Sequence, residues 1–228
     1  MAELKTEEEQ IAAIKRWWKD NGTSLIAGVV LAGAGIFGWN AWQDYQEGQA
    51  ETASLRYQQL VALSASQDAA DATDEQALTN ARSTADELVE NHDGSLYAEL
   101  ALLLDARLAV QQGDLDGARA SLEQALEDSP RRYVQSLARL RLARLDVAGD
   151  DAQAALERLD DSIVEPLTAQ RHNVRGDAYF ALGQKEEARA AWQQAQTLTD
   201  AQDRPLYGVA LKLDDLGTDT QGTDEATL

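Results

Sequence analysis

The chain has two histidines, His92 and His172, and no cysteine to serve as a nucleophile or a soft metal ligand. Neither histidine stands in a metal-ligand spacing such as H-E-x-x-H, and no phosphate loop, dinucleotide glycine pattern or G-x-S-x-G elbow occurs. The aspartate-rich piece Asp114-Leu-Asp116-Gly117 lacks the ligand series of a calcium loop. Forty acidic residues could supply a carboxylate pair for acid–base work, but no spacing singles one out. His172 falls on a helical face and reads as a structural histidine. These residues predict a non-enzyme with no cofactor and no metal. A formal charge of −20 predicts a surface that repels phosphate, so nucleic acid is excluded as a partner.

The elements that would position any function begin with an uncharged run. No charged residue occurs from Asn21 to Gln43, and Thr23–Trp42 reads TSLIAGVVLAGAGIFGWNAW. Twenty helical residues span about 30 Å, the thickness of a bilayer's hydrocarbon core. Ala32-Gly33-Ala34 has the small-x-small form of a cleavage site, but the apolar sequence continues through Ile36, Phe37 and Trp39. Trp17 and Trp18 on one side, and Trp39, Trp42 and Tyr45 on the other, are the expected membrane-interface anchors. Lys5, Lys15, Arg16 and Lys19 precede the span, whereas a similar length after it carries only Arg56. The charge rule therefore places the head in the cytoplasm and the body outside.

The head, residues 1–22, carries the capping box Thr6-Glu-Glu-Glu9, an apolar stripe of Ile11, Ile14 and Trp18, and Asn21-Gly22 as an expected helix stop. It reads as a membrane-surface anchor, with a cytoplasmic docking element as the alternative. Residues 23–42 form the transmembrane helix, 43–216 the exported domain, and 217–228 an acidic tail expected to be disordered. Gln46–Leu63 continues the helix with Leu55, Leu60 and Leu63 available for packing. Ser64–Glu75 reads as a polar loop, Gln76–Asn91 as a second helix, and Pro205–Leu216 as a terminal capping helix carrying Leu206, Tyr207, Ala210, Leu213 and Leu216.

Between these lie repeats. Gly113, Gly149 and Gly183 are turn points 36 and 34 residues apart, each flanked by apolar helical patterns. Five positions beyond them stand Ala118, Ala154 and Ala188, and Pro130 and Pro166 follow the first two turns. A period near 34 with helix, glycine turn and helix is the arithmetic of tetratricopeptide repeats. The second unit fits poorly, placing Arg158 and Asp161 at positions that should be apolar or small; a one-residue slide to Ala155-x3-Leu159 restores it. The fold class predicted is all-α: one N-terminal transmembrane helix followed by a tetratricopeptide-like solenoid of helical hairpins. Such arrays bind proteins on a concave face. The expected groove positions are Leu103, Arg107 and Val110, then Arg139, Ala143 and Asp146, then Asn173, Asp177 and Phe180.

The head TEEEQIAAIKRWWKDNG, the glycine-rich span ending WNAW, the Ser54-Leu55-x-Tyr57 helix, the degenerate repeats and the closing PLYGVALKLDDLG resemble the YfgM family of ancillary subunits of the bacterial Sec translocon. The resemblance extends to about Gly217. It implies a single-pass protein of the bacterial inner membrane with a periplasmic repeat domain. It further implies association with the SecYEG translocon and the membrane-anchored chaperone PpiD, and transfer of nascent exported proteins to periplasmic chaperones. A cytoplasmic role restraining the stress regulator RcsB is also implied. A scaffold of another cell-envelope assembly complex would use the same array.

Overall fold

The computed structural model describes residues 7–68, 75–202 and 206–221. Every regular element among them is helical: α1 (Glu7–Asp68), α2 (Glu75–Asn91), α3 (Leu96–Gln112), α4 (Leu115–Asp128), α5 (Arg132–Ala148), α6 (Ala152–Arg158), a 3-10 turn (Glu165–Leu167), α7 (Thr168–Ala181), α8 (Lys185–Gln202) and α9 (Val209–Gln221). The chain divides after Thr52 into two units.

The first unit is α1 up to Thr52. Its apolar residues face outward: Leu25, Ile26, Val29, Val30, Leu31, Ile36 and Phe37 are all exposed. Little of this apolar stretch is buried among the described residues, and its length and composition are those of a membrane span. Asn21-Gly22 does not stop the helix. Asn21 Nδ2 instead donates to the Trp17 carbonyl at 3.1 Å, so the residue is satisfied within the helix. Gly22 costs a helix only about 1 kcal/mol, too little to break one that continues into twenty apolar residues. Thr6 of the expected capping box lies outside the described residues.

The second unit, from Ala53, is a series of packed helices. Each of α2 to α8 contacts the next, and α3 with α5 and α5 with α7 also touch. This nearest-neighbour pattern gives consecutive small cores in place of one central core. Leu60 joins α2 and α3; Leu122 and Ala125 join α4 to its neighbours; Leu159 and Ile163 lie against α5 and α7; Trp192, Val209 and Leu216 close the end. α1 extends to Asp68, into the stretch expected to be a loop, because Ser64 is buried and its hydroxyl donates to the Val61 carbonyl. Leu60 is fully buried but Leu55 is exposed. α9 starts at Val209, after Gly208 at φ 84°, so Tyr207 lies outside the helix and is fully exposed. Ala210 is also exposed, while Leu206, Leu213 and Leu216 pack against α8 as expected. The helix covers 217–221, the first part of the stretch expected to be disordered; 222–228 lie outside the described residues.

The turns correct the repeat register. Gly113 and Gly183 adopt left-handed φ values of 77° and 75°, but Gly149 does not. There the left-handed residue is Asp150, at φ 62°. In all three turns the residue after the left-handed one donates its N–H back across the turn: Asp114 to Ala109, Asp151 to Asp146 and Gln184 to Tyr179, each at 2.9 Å. This is the Schellman closure. Counted from the left-handed residue, the fifth positions are Ala118, Ala155 and Ala188, all fully buried. The slide to Ala155 and Leu159 is therefore correct, and Ala154 is not the equivalent residue. Asp and Asn tolerate the left-handed region better than other side chained residues, and β-branched residues worst. Thermal stability at this position should fall in the order Asp150→Gly, native, Asp150→Val. The glycine should gain about 0.5 kcal/mol and the valine lose more than about 1 kcal/mol; thermal melts followed by circular dichroism measure both.

Candidate functional site: the groove of the helical array

The register shift moves the groove. Relative to the left-handed residues, the three positions expected on the concave face become Leu140, Arg144 and Val147 in the second hairpin, in place of Arg139, Ala143 and Asp146. Burial follows the new register. Leu103, Leu140 and Asn173 are buried; Arg107 and Arg144 are exposed with Asp177 partly so; Val110 and Phe180 are exposed with Val147 partly so. Of the residues expected in the second hairpin, Ala143 is fully buried and Asp146 nearly so. Arg139 turns to the α6 side, where it bonds Asp160 and Ser162.

Asp146 is an internal ion-pair hub. Arg119 of α4 donates to its Oδ1 and Arg158 of α6 to its Oδ2, both at 2.6 Å, while the carboxylate is 3% exposed. Similar buried anchors recur earlier. Asp105 accepts from Arg82 at 2.9 Å and from the Ser121 hydroxyl, and Glu99 accepts from Ser129 and Arg131. Arg82–Asp105 and Arg119–Asp146 join consecutive hairpins, Ser121–Asp105 and Arg158–Asp146 join the two helices of one hairpin, and Ser129 and Arg131 reach Glu99 from the turn between α4 and α5. Sequence patterning missed them because an acidic residue on an amphipathic helix ordinarily reads as solvated. Asp114, within the piece weighed as a calcium loop, instead caps α4. It accepts from the Gly117 N–H at 2.9 Å and from Arg82 at 2.7 Å. Those two bonds hold its carboxyl below the usual carboxylate range.

In the third hairpin two of the three groove positions, Asn173 and Asp177, are already engaged. Lys212 of α9 donates to Asn173 Oδ1 at 2.9 Å and to Asp177 Oδ1 at 2.5 Å, and its ammonium lies 5.6 Å from the Trp192 ring centroid. The Trp192 indole N–H donates to the Asn173 carbonyl and to Asp177. His172 lies at the seam of α7 and α8, where burial first, then Arg171 and Arg175, lower its pKa.

Among the described residues, a cavity of about 510 Å³ opens along α3 and α5. Arg107, Val110, Arg141, Arg144, Leu145 and Ala148 line it, over a floor that includes Ala106 and Leu122. The Arg141 side chain is bonded to the Leu103 carbonyl at 2.5 Å. Sequence reading found Arg107 and Val110 but missed Arg141 and Arg144; the signal available for Arg144 was the Asp150-Asp151 turn that displaces the second register. In the first unit, Trp17, Trp18, Trp39, Trp42 and Tyr45 are all exposed, and the Trp39 and Trp42 ring centroids lie 5.3 Å apart with the rings tilted by 42°.

Hairpins closed by left-handed turns, an apolar floor and a capping helix define a tetratricopeptide-like protein, here carrying one N-terminal helix able to span a membrane. The tetratricopeptide repeat-like domain family matches residues 15–218. Relatives named ancillary SecYEG translocon subunit occur in Aggregatibacter actinomycetemcomitans (34% identical, 92% of this chain and 98% of the relative), Haemophilus influenzae (33%, 86% and 91%) and Escherichia coli K12 (34%, 83% and 86%). The chain belongs to this family of ancillary SecYEG translocon subunits, the YfgM family. No solved structure gives a significant match.

Proposed function

We propose that this protein is an adaptor anchored in the inner membrane beside the Sec translocon, presenting its helical array to protein partners on the exported side. The observation that carries the reading is similarity to ancillary SecYEG translocon subunits along nearly the whole chain, span and array together. The four basic residues of the head and the single Arg56 after the span support a cytoplasmic N-terminus. Tethering an array to the membrane raises its effective concentration around chains that emerge there. The partners are the translocon, nascent exported proteins and a membrane-anchored chaperone of the PpiD kind that receives them. The exposed stripe of Ile11, Ile14 and Trp18 is the surface through which the head would contact a cytoplasmic partner such as RcsB.

Purification in mild detergent from cells expressing the protein at native level should recover translocon subunits; their absence would count against the reading. The chain contains no cysteine, so Arg132→Cys adds a single label site on an exposed residue of α5. A membrane-impermeant maleimide should label it from the periplasmic side. Labelling only after the inner membrane is opened would reverse the orientation.

A further inference from the structure

The apolar stripe on the head of α1 stands beyond the reach of lipid. Ile11, Ile14 and Trp18 are 52, 66 and 53% exposed, and their helix runs unbroken from Glu7 into the span. With Thr23 at the hydrocarbon edge, a rise of about 1.5 Å per residue puts Ile14 about 14 Å and Ile11 about 18 Å outside it. A tilt of about 40° leaves them about 10 and 14 Å out, whereas the polar layer is about 5–8 Å deep. The membrane therefore covers neither isoleucine. The stripe continues in alternating steps of three and four residues, from Trp18 to Asn21 and Leu25, then to Gly28, Ala32 and Gly35. Trp39 and Trp42 follow in the same rhythm. A repeat of 3.5 residues keeps one face toward a neighbouring helix along its whole length. Among the described residues, a Cβ on Gly28 or Gly35 would meet nothing within 4 Å outside its own stretch of helix. Glycine costs a helix about 1 kcal/mol against alanine, and in a span that cost is offset where a second backbone approaches closely. Gly22 differs, since the Trp18 ring lies 3.3 Å from where its Cβ would stand.

We infer that α1 pairs along this seam with α1 of a second copy, parallel and in register. A single helix covers both parts of the seam if it crosses the same membrane and continues past it on the same side. A second copy has that helix by construction. Ile11 and Ile14 then meet their counterparts outside the bilayer, and Gly28 and Gly35 meet theirs within it. The charges agree with this occupant. Glu9, Arg16, Lys19 and Asp20 fall on the far side of the helix, so like charges are not brought together. Glu8 and Lys15 lie along one edge, and in a parallel pair the two copies turn that edge to opposite sides. Asn21 uses one amide N–H on the Trp17 carbonyl, and the rest of its hydrogen-bonding capacity suits an Asn21 pair across the seam, a contact that fixes register. The 3.5-residue period sets a left-handed crossing of about 20°.

The inference rests on α1 spanning a membrane and is independent of the translocon association. The chain has no cysteine, so single introduced cysteines report proximity between copies without background. The test uses membranes from cells that express two differently tagged full-length copies at native level, oxidised with copper phenanthroline. Ile14→Cys and Ala32→Cys, on the seam, should give a disulfide-linked pair carrying both tags. Ala13→Cys and Ala34→Cys, on the opposite face, should not. Gly28→Leu with Gly35→Leu should lower the Ile14→Cys yield at least about tenfold by parting the backbones, while Gly33→Leu, off the seam, should change it less than about twofold. Equal yields on both faces, no pair at Ile14→Cys, or equal effects of the two sets of glycine variants would overturn the proposal. Linkage of Ile14→Cys to a different protein alone would assign the stripe to that partner and overturn it as well. A protein that recovers translocon subunits yet gives no pair overturns this inference alone. One that pairs as expected but recovers no translocon supports the pairing and counts against the adaptor reading.

Discussion

Gly176→Ala should destabilise the repeat domain by about 2–3 kcal/mol, although alanine is the better helix former by about 1 kcal/mol. A Cβ at Gly176 would lie 2.3 Å from Cδ1 and Nε1 of Trp192, a ring held in place by its hydrogen bonds to Asn173 and Asp177. Neither the backbone of α7 nor the indole can yield without losing those bonds. The corrected register explains why the glycine stands there. Seven residues before the left-handed turn residue are Ala106, Ala143 and Gly176; nine after it are Leu122, Leu159 and Trp192. All of the alanine, leucine and tryptophan members are buried. Two hairpins thus combine alanine with leucine, and the third combines glycine with tryptophan, so the bulk of the pair is shared out differently in the same space. Trp192→Ala should cost about 3–5 kcal/mol through the cavity it leaves. The decisive variant is Gly176→Ala with Trp192→Leu, which recreates the pair of the other hairpins. It should be more stable than Gly176→Ala alone, a reversal of additivity measurable by urea unfolding followed by far-ultraviolet circular dichroism. A double variant no more stable than Gly176→Ala alone would refute the compensation.

The second large effect is expected at Asp146. Arg119→Met and Arg158→Met singly should each cost about 1–2 kcal/mol, because the carboxylate keeps one charged partner. The double variant should cost about 3–5 kcal/mol, since it strands a nearly buried carboxylate with no cation. The two arginines reach the carboxylate from α4 and α6 and are themselves about one-third exposed, so water compensates them but not the aspartate. A cycle over the four proteins should show coupling of about 1 kcal/mol or more, and replacing Asp146 with Asn in the double variant should recover part of the loss. Strict additivity would show that Asp146 reaches solvent.

Much of this architecture was legible because it rests on periodicity and length. The uncharged run of Thr23–Trp42 predicts a span, and the buried faces of α3, α4 and α8 follow helical spacing that any reader of the sequence can trace. The second hairpin was harder for a specific reason. Glycine is the natural occupant of a left-handed turn position, so Gly149 was read as one; the backbone instead places Asp150 there. A single residue of phase then exchanged Arg144 for Ala143 and turned groove residues into core. The buried carboxylates were illegible for another reason: Glu99, Asp105 and Asp146 depend on arginines contributed by distant segments of the chain, and no local spacing announces such partners. Asn21-Gly22 misled in the opposite sense, as a local stop signal overridden by the apolar sequence that follows.

The placement of α9 determines how long the array can be. Its Val209 and Leu216 cover the apolar end of α8, and Arg189 bonds the Leu216 carbonyl while Lys212 reaches α7. A solenoid whose last hairpin stayed bare would offer the first hairpin of another copy a surface to stack on, and a head-to-tail contact of that kind propagates into a filament. Closing that end with a helix that hydrogen-bonds inward makes the unit finite. With α9 packed over it, the apolar end of α8 is withdrawn as a stacking surface for a second copy.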